Sequence, residues 1–143
     1  MARRYRAGDR EACLALFDGN VPDFFAVFER AEFAAHLESA ETFLVLEQGG
    51  VVLACGGVSA LPSGWAVLDW GMVARTAQGQ GLGRQLMQAR LALARRMPGL
   101  RGIRLETSQK TCGFYEGFGF RVQAVVQDGF GPGLDRVEMA LPF

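Results

Sequence analysis

The sequence predicts a mixed α/β domain that combines an antiparallel meander with a strand–helix–strand unit. Apolar residues alternate through the middle of the chain, which indicates half-buried strands, and from Leu82 onward they recur at helical spacing. Glycine-rich turns divide the chain so that hairpins come first, a strand–helix–strand unit follows, and another hairpin closes the chain.

Two helical segments are predicted before the first long strand. Asp9 is a suitable N-cap for a helix that runs to about Phe17. Pro22 could open a second helix, or two short ones, because proline is favoured at the first helical position. This segment contains apolar residues that we interpret mainly as core, and alternatively as a wall of a substrate pocket: Phe24, Phe25, Val27, Phe28, Phe33 and Leu37.

Strands dominate the rest of the predicted fold. Thr42–Glu47 and Val51–Ala60 flank the turn Gln48-Gly49-Gly50, and Trp65–Ala74 is the third strand of the meander. The remaining elements are an amphipathic helix from Leu82 to just before Pro98, a strand over Gly102–Glu106, a short helix over about Gln109–Glu116, and closing strands over Phe120–Gln127 and Leu134–Leu141, joined by a loop from Asp128 to Gly133.

Composition and charge argue against several classes of protein. The 143 residues suit one domain, and fifteen basic and fifteen acidic side chains give a net charge of zero, which disfavours a chain-wide nucleic-acid surface. No apolar run approaches the roughly 20 residues that span a bilayer. The basic start of the chain lacks the apolar segment of a signal peptide. We therefore expect a cytoplasmic protein that binds neither membrane nor nucleic acid.

Cysteine and histidine usage predicts no metal site. The cysteines Cys13, Cys55 and Cys112 lie far apart, which indicates reduced, mostly buried thiols rather than a disulfide framework or a zinc site. The single histidine, His36, lies in a predicted helix, and we interpret it as structural rather than catalytic.

The most informative segment is the glycine-rich turn between the third strand and the long helix. Gly79, Gly81 and Gly83 alternate at a helix start, where free backbone N–H groups and the helix dipole attract anions. Without side chains at these positions, a diphosphate can approach the main chain closely. The alternative is a glycine-rich connection that binds no ligand.

The same turn fits neither of two common nucleotide motifs. A P-loop needs Gly-Lys-Ser/Thr, but Gly83 is followed by Arg84 and Gln85. In a dinucleotide fingerprint the third glycine would fall on Arg84 or Leu86. A nucleotide-phosphate-binding protein that uses this turn in another way stays an alternative.

Two motifs resemble those of the GNAT superfamily of N-acetyltransferases. Gln78-Gly79-Gln80-Gly81-Leu82-Gly83 matches the signature Q/R-x-x-G-x-G/A, and the segment Gly113 to Phe120 is similar to the later F-Y-x-x-x-G-F motif. The order of elements also fits, although the first forty residues match only in outline. The resemblance implies a single N-acetyltransferase domain over residues 1–143, with a central, mostly antiparallel sheet of six to seven strands and about four helices.

The resemblance further implies acetyl-CoA as the donor and an amine of a small molecule, amino acid or peptide as the acceptor. In this family the pyrophosphate lies on the glycine-rich turn and the pantetheine arm follows the preceding strand, where the N–H of Val73 would polarise the thioester carbonyl. A homodimer is a family-level expectation. The residues implied in donor binding are Met72, Val73, Gln78, Gly79, Gln80, Gly81, Leu82, Gly83, Arg84 and Ser108. Ser108, or alternatively Thr107, would supply a hydroxyl in place of a frequent asparagine.

Catalytic roles also follow from the resemblance. Tyr115 would protonate the departing thiolate, and its alternative role is that of a packed helix aromatic. Asp69 matches a position where some members carry a catalytic glutamate, and its alternative is an exposed or salt-bridged strand residue. Glu106 or ordered water could replace it as the base. A non-catalytic acyl-CoA-binding module of the same fold is the main functional alternative.

Overall fold

A computed structural model describes residues 1–39 and 42–143. The registered strand pairs are antiparallel except for one, which confirms the predicted mixed, mostly antiparallel sheet with about four helices. The strands are β1 Ala2–Arg4, β2 Phe43–Gln48, β3 Val51–Ala60, β4 Trp65–Val73, β5 Gly102–Thr107, β6 Arg121–Gly131 and β7 Leu134–Pro142, and the helices are α1 Arg10–Gly19, α2 Arg30–Glu38, α3 Leu82–Arg95 and α4 Cys112–Glu116. The strand order is β1-β2-β3-β4-β5-β7-β6.

The contacts within the chain define two compact units. The first comprises Met1–Ser59 and Asp69–Arg96, and the second comprises Ala60–Leu68 and Met97–Phe143. The expected single domain therefore stays a prediction. No helix in the described part of the chain is both long and apolar enough to cross a membrane.

An aromatic core fills the first unit. The Phe17 ring stacks on Phe25 and Phe33, with centroids 5.1 and 5.6 Å apart, and Trp70 lies 5.2 Å from Phe33. Phe43 of β2 belongs to the same buried cluster. The β2–β3 hairpin closes through Gly49 and Gly50, whose φ angles are 57° and 80°, while Gln48, the first residue of the predicted turn, is the last residue of β2.

The segment between α1 and α2 differs from its prediction. Pro22 opens no helix, because the chain turns after α1 and the N–H groups of Phe24 and Phe25 both donate to the Asn20 carbonyl. The interpretation of the aromatics as core is confirmed for the buried Phe33 and the partly buried Phe25. It is wrong for Phe24 and for two further exposed residues, Val27 and Phe28.

The second unit is built on β5 and β7. Trp65 to Val67 of β4 pair in parallel with Gly102 to Arg104, and β5 pairs antiparallel with β7. The β6–β7 hairpin extends further than predicted, to the pair Gly131–Leu134, so that only Pro132 and Gly133 connect the strands. The predicted loop from Asp128 to Gly133 is thus largely strand, with a register shift between Val126 and Gly131.

Aspartates stabilise this irregular hairpin. The N–H of Asp128, a residue with φ 55°, donates to the Asp135 carboxylate at 3.0 Å, and the Asp128 carboxylate accepts the Gly133 N–H at 2.7 Å. Gln109 adds two bonds, to the Gly133 carbonyl and from the Asp135 N–H, each of 2.8 Å. Its side chain therefore ties the segment before α4 to the hairpin.

Candidate functional site

The glycine-rich turn has the backbone conformation of an open anion site. Gly79 and Gly81 have φ angles of 82° and 81°, which favour glycine, and no atom lies within 4 Å of a Cβ built at either position. Gly81 is the N-cap of α3 and therefore has no side chain to cap the helix, and the first turn of α3 carries no acidic residue. The first N–H groups of a 14-residue helix thus begin at an exposed turn in which Gly79 and Gly81 carry no side chains.

The neighbouring side chains differ in burial. Leu82 is buried against Leu46 and Leu86, which anchors the start of the helix. Gln80 and Arg84 are exposed. Arg75 forms an ion pair with Asp23, and its guanidinium carbon lies 5.7 Å from the Phe24 ring centroid.

The segment from Ala74 to Ala77 joins the end of β4 to this turn. Met72 is buried in the aromatic core, and the Ala74 N–H donates to the Leu53 carbonyl of β3 at 2.8 Å. Successive residues of a strand direct their N–H groups to opposite edges, so the N–H of Val73 is directed away from β3. The Val73 carbonyl accepts hydrogen bonds from Asn20 and Gln78.

Asp69 belongs to a polar group in the first unit. Its carboxylate accepts a hydrogen bond from the Ser59 hydroxyl and lies 3.6 Å from His36 Nε2, and its side chain is 12% exposed. Trp70, the next residue, has φ 48°, a conformation that costs a non-glycine residue about 1–2 kcal/mol. The Trp70 ring packs against Phe17, Phe25 and Phe33 in this conformation.

Tyr115 lies in the second unit on the short helix α4. Its ring makes edge contacts with Phe114 and Phe120, at centroid distances of 5.2 and 6.0 Å. The ring is partly buried, and no residue in the described part of the chain hydrogen-bonds to its hydroxyl. The packing orients the phenol without using its oxygen.

The remaining candidates are also in the second unit. The Ser108 hydroxyl accepts the Lys110 N–H at 3.2 Å and its carbonyl accepts the N–H groups of Thr111 and Cys112, so Ser108 organises the turn that leads into α4. Glu106 lines an open cavity of about 550 Å³ and lies 3.9 Å from Arg136 Nε. No cluster suited to a metal ion occurs among residues 1–39 and 42–143.

The comparison with family models decides the relationship. Residues 13–120 match the model of the acetyltransferase (GNAT) family. The matched range includes α1, the glycine-rich turn and α4. The chain belongs to the GNAT family. A comparison with curated proteins gives no match.

Solved GNAT structures share the fold over nearly the whole chain. A GNAT-family protein from Desulfovibrio desulfuricans superposes with a TM-score of 0.82 at 24% identity, covering 99% of this chain and 98% of that one. The ribosomal-protein-S18-alanine N-acetyltransferase of Escherichia coli gives 0.82 at 21% identity, with coverages of 99% and 92%. A Salmonella typhimurium protein, whose structure contains acetyl-CoA, gives 0.82 at 23%, with coverages of 99% and 92%.

Family membership confirms the enzyme class expected from the two GNAT motifs. The structure also adds a residue that the sequence did not suggest. Asn20 is buried and bonds both to the end of β4 and to Gln78, the first residue of the GNAT motif. Asn20 is the single asparagine of the chain and lies three residues beyond Phe17, the predicted end of the first helix, and the sequence contains no other signal of its role.

Proposed function

We propose that this protein transfers the acetyl group of acetyl-CoA to an amine of a small molecule, amino acid or peptide. The observation that carries the proposal is the start of α3, where glycines with positive φ leave main-chain N–H groups open. A diphosphate suits this site because it can accept several such hydrogen bonds and interact favourably with the helix dipole.

The residues of the turn fit the donor. We assign the pyrophosphate to the amides from Gln78 to Arg84, which include the open Gly79 and Gly81. Met72 and Val73 would lie beside the pantetheine arm, whose amides can hydrogen-bond to a strand edge as an added strand does. Ser108 is proposed to contribute its hydroxyl at a second position. When bound, acetyl-CoA supplies a thioester whose carbonyl carbon accepts the amine.

Val73 is the proposed donor to the thioester carbonyl oxygen. Its N–H is directed away from β3, as the bond from Ala74 to Leu53 indicates. Negative charge develops on this oxygen as the amine nitrogen forms its bond to carbon. One preorganised donor at such an oxygen contributes about 2.7–4 kcal/mol.

Two proton transfers balance the reaction. The amine loses a proton as the C–N bond forms, and the sulfur gains one as the C–S bond breaks. We propose Tyr115 as the donor to sulfur, since its hydroxyl has no partner among the described residues. We propose Asp69 as the acceptor of the amine proton through a bridging water, with Glu106 or water alone as alternatives, because the Asp69 carboxylate is held by Ser59 and lies near His36.

Calorimetry with acetyl-CoA tests the proposal at the turn. Wild type should bind acetyl-CoA and should bind NAD and ATP much more weakly. Gly81→Ala should weaken acetyl-CoA binding, since alanine disfavours φ 81° and adds a methyl group to the open turn. Gly50→Ala is the matched control because Gly50 has φ 80° and is equally open, but lies in the β2–β3 hairpin.

Equal losses in the two variants, or no binding by wild type, would contradict the proposed donor site. Turnover over a panel of amines then separates an enzyme from the alternative acyl-CoA-binding module. Acetyl-CoA binding without acetylation of any amine or peptide in the panel would favour the binding module. The Escherichia coli relative is named for the alanine of a ribosomal protein, so peptides with N-terminal alanine belong in the panel.

A further inference from the structure

We propose that Asn20 is a positioning residue for donor binding, which acts by fixing Gln78 and Val73 to the end of α1. This inference rests on the proposed function. Asn20 lies outside the glycine-rich turn in sequence, and it is proposed to touch neither the donor nor the acceptor. Its effect passes through Val73 and Gln78, two of the three residues to which its carboxamide bonds.

The hydrogen bonds of Asn20 reach three parts of the first unit. Nδ2 donates to the Leu16 carbonyl of α1 at 2.8 Å and to the Val73 carbonyl of β4 at 3.1 Å. Oδ1 accepts from Gln78 Nε2 at 3.3 Å. Gln78 Nε2 also lies 3.3 Å from the Val73 carbonyl, so the three residues form a closed triangle.

Because Asn20 is buried, its side-chain amide depends on these hydrogen bonds. Its exposed fraction is 2%, and a buried amide without partners is destabilising, so its side chain holds one orientation. Of the three side-chain bonds, only the one to the Leu16 carbonyl is made to α1. The two remaining bonds point to the residues that frame the segment from Ala74 to Ala77, between the proposed oxyanion donor and the first residue of the phosphate-binding turn.

The main chain of Asn20 also bonds to α1 and to the turn that follows α1. Its N–H donates to the Phe17 carbonyl at 2.9 Å, and its carbonyl accepts the N–H groups of Phe24 and Phe25 at 2.9 and 3.2 Å. Asn20 is therefore fixed by its backbone before its side chain reaches the glycine-rich turn. A rigid support of this kind is what a turn made flexible by three glycines requires.

The first measurement uses the protein without ligand. In Asn20→Ala, backbone ¹⁵N order parameters should fall from Ala74 to Gly79 and should stay unchanged at Gly49 and Gly50. Cys13→Ala is the control, since Cys13 is fully buried in α1 and belongs to the aromatic core cluster but is not one of the three residues of the triangle. Unchanged order in the turn of Asn20→Ala would overturn the inference, whether or not the protein binds acetyl-CoA.

The second measurement is a double-mutant cycle on acetyl-CoA affinity. Asn20→Ala and Gln78→Ala should each raise Kd about three- to tenfold, the range expected for one lost hydrogen bond. Because Asn20 acts through Gln78, the double variant should lose little more than the larger single loss. The positioning role would be overturned if the two losses of affinity multiply in the double variant, or if Kd is unchanged in Asn20→Ala.

A second variant guards against loss of folding. Asn20→Ser keeps a hydroxyl that can donate to one carbonyl, but it is too short to bond Leu16, Val73 and Gln78 together. It should weaken acetyl-CoA binding and loosen the turn as Asn20→Ala does, and wild-type values in Asn20→Ser would contradict the proposal. If wild type itself binds no acetyl-CoA, the proposed function fails, while the order parameters still decide whether Asn20 holds the turn.

Discussion

At the scale of single residues, Tyr115 tests the proposed proton transfer to sulfur. Tyr115→Phe keeps the ring and its contacts with Phe114 and Phe120 but removes the hydroxyl. A positioned general acid contributes roughly 10²- to 10⁴-fold, so we expect turnover to fall by about this factor while the Kd for acetyl-CoA stays unchanged. Steady-state kinetics and calorimetry measure the two quantities.

The other tyrosine supplies a matched control. Tyr5 packs against the core of the first unit, where its ring meets Phe43 edge-on at 5.8 Å. Tyr5→Phe removes the same hydroxyl from a position outside the proposed site and should leave turnover at the wild-type value. Wild-type turnover in Tyr115→Phe would remove Tyr115 from the mechanism.

Asp9 gives a prediction for stability against pH. Its carboxylate receives two bonds of 2.8 Å from the Arg3 guanidinium and one of 2.8 Å from the Arg6 N–H. Bonding to Arg3, followed in importance by the Arg6 N–H, lowers the pKa of Asp9 despite its burial. The native state therefore binds fewer protons than the unfolded state at acid pH, and the stabilisation is lost as pH falls below the ordinary aspartate pKa of about 3.9.

Asp9→Asn should therefore be less stable than wild type at pH 7, and the difference should shrink as pH falls below about 4. Urea unfolding from pH 7 to pH 2 measures it. Asp18→Asn is the comparison at pH 7, because the Asp18–Arg30 pair is exposed and such pairs contribute little. A difference between wild type and Asp9→Asn that stays constant down to pH 2 would contradict this origin of the stability.

The limits of sequence reasoning at this scale are visible in Asn20. Spacing within a motif predicted Gln78 and Tyr115 as site residues, because a motif relates residues that are near one another in the chain. The bonds of Asn20 to Val73 and Gln78 join residues 53 and 58 positions apart, and no local pattern encodes such contacts. The partners of Asp69, Ser59 and His36, were hidden for the same reason.

At the scale of elements, β3, β4 and α3 depend on a close approach that only glycine allows. The Arg90 guanidinium of α3 donates to the Gly57 carbonyl at 3.1 and 3.0 Å and to the Asp69 carbonyl at 3.0 Å. A Cβ added to Gly71 would lie 2.5 Å from Arg90 Nη1. These bonds hold the guanidinium in place, so it cannot move aside without losing them.

Gly71→Ala should therefore destabilise the protein by about 1–3 kcal/mol, the usual range for overpacking. Gly19→Ala is the control, because it lies at the end of α1 with no atom within 4 Å of an added Cβ. Alanine there should be neutral or stabilising by up to about 1 kcal/mol. The urea midpoints of unfolding measure both effects. Equal stability of the two variants would show that the Arg90 guanidinium moves aside for the methyl group at no cost.

The elements that the sequence predicted best are those with strong local signals. Alternation and the predicted turn Gln48-Gly49-Gly50 indicated β3 over its observed range, Val51–Ala60, and helical spacing predicted α3. The helix predicted to begin at Pro22 does not form, because the Asn20 carbonyl accepts hydrogen bonds that hold this segment in a turn. The loop predicted between β6 and β7 is largely strand, because Asp128 and Asp135 stabilise a register shift within the hairpin. Both local structures depend on hydrogen bonds that the positions of glycine and proline in the sequence do not predict.

At the scale of the whole molecule, the two tryptophans report separately on the two units. Trp70 belongs to the first unit, among Phe17, Phe25 and Phe33. Trp65 belongs to the second, where the Arg104 guanidinium carbon lies 4.4 Å from its ring centroid. Trp65→Phe and Trp70→Phe therefore each leave one fluorescent probe in one unit.

The predicted single N-acetyltransferase domain requires both units to unfold together. In each variant, the urea midpoint from tryptophan fluorescence should equal the midpoint from far-ultraviolet circular dichroism, because a two-state transition looks the same to every probe. Comparing two probes within one variant removes the effect of the substitution on stability itself. Strand β4 contains Trp65 of one unit and Trp70 of the other. Unfolding of this strand in either unit should therefore disturb it in the other. Separate midpoints in either variant would show instead that the units unfold independently and that the chain is not one cooperative domain.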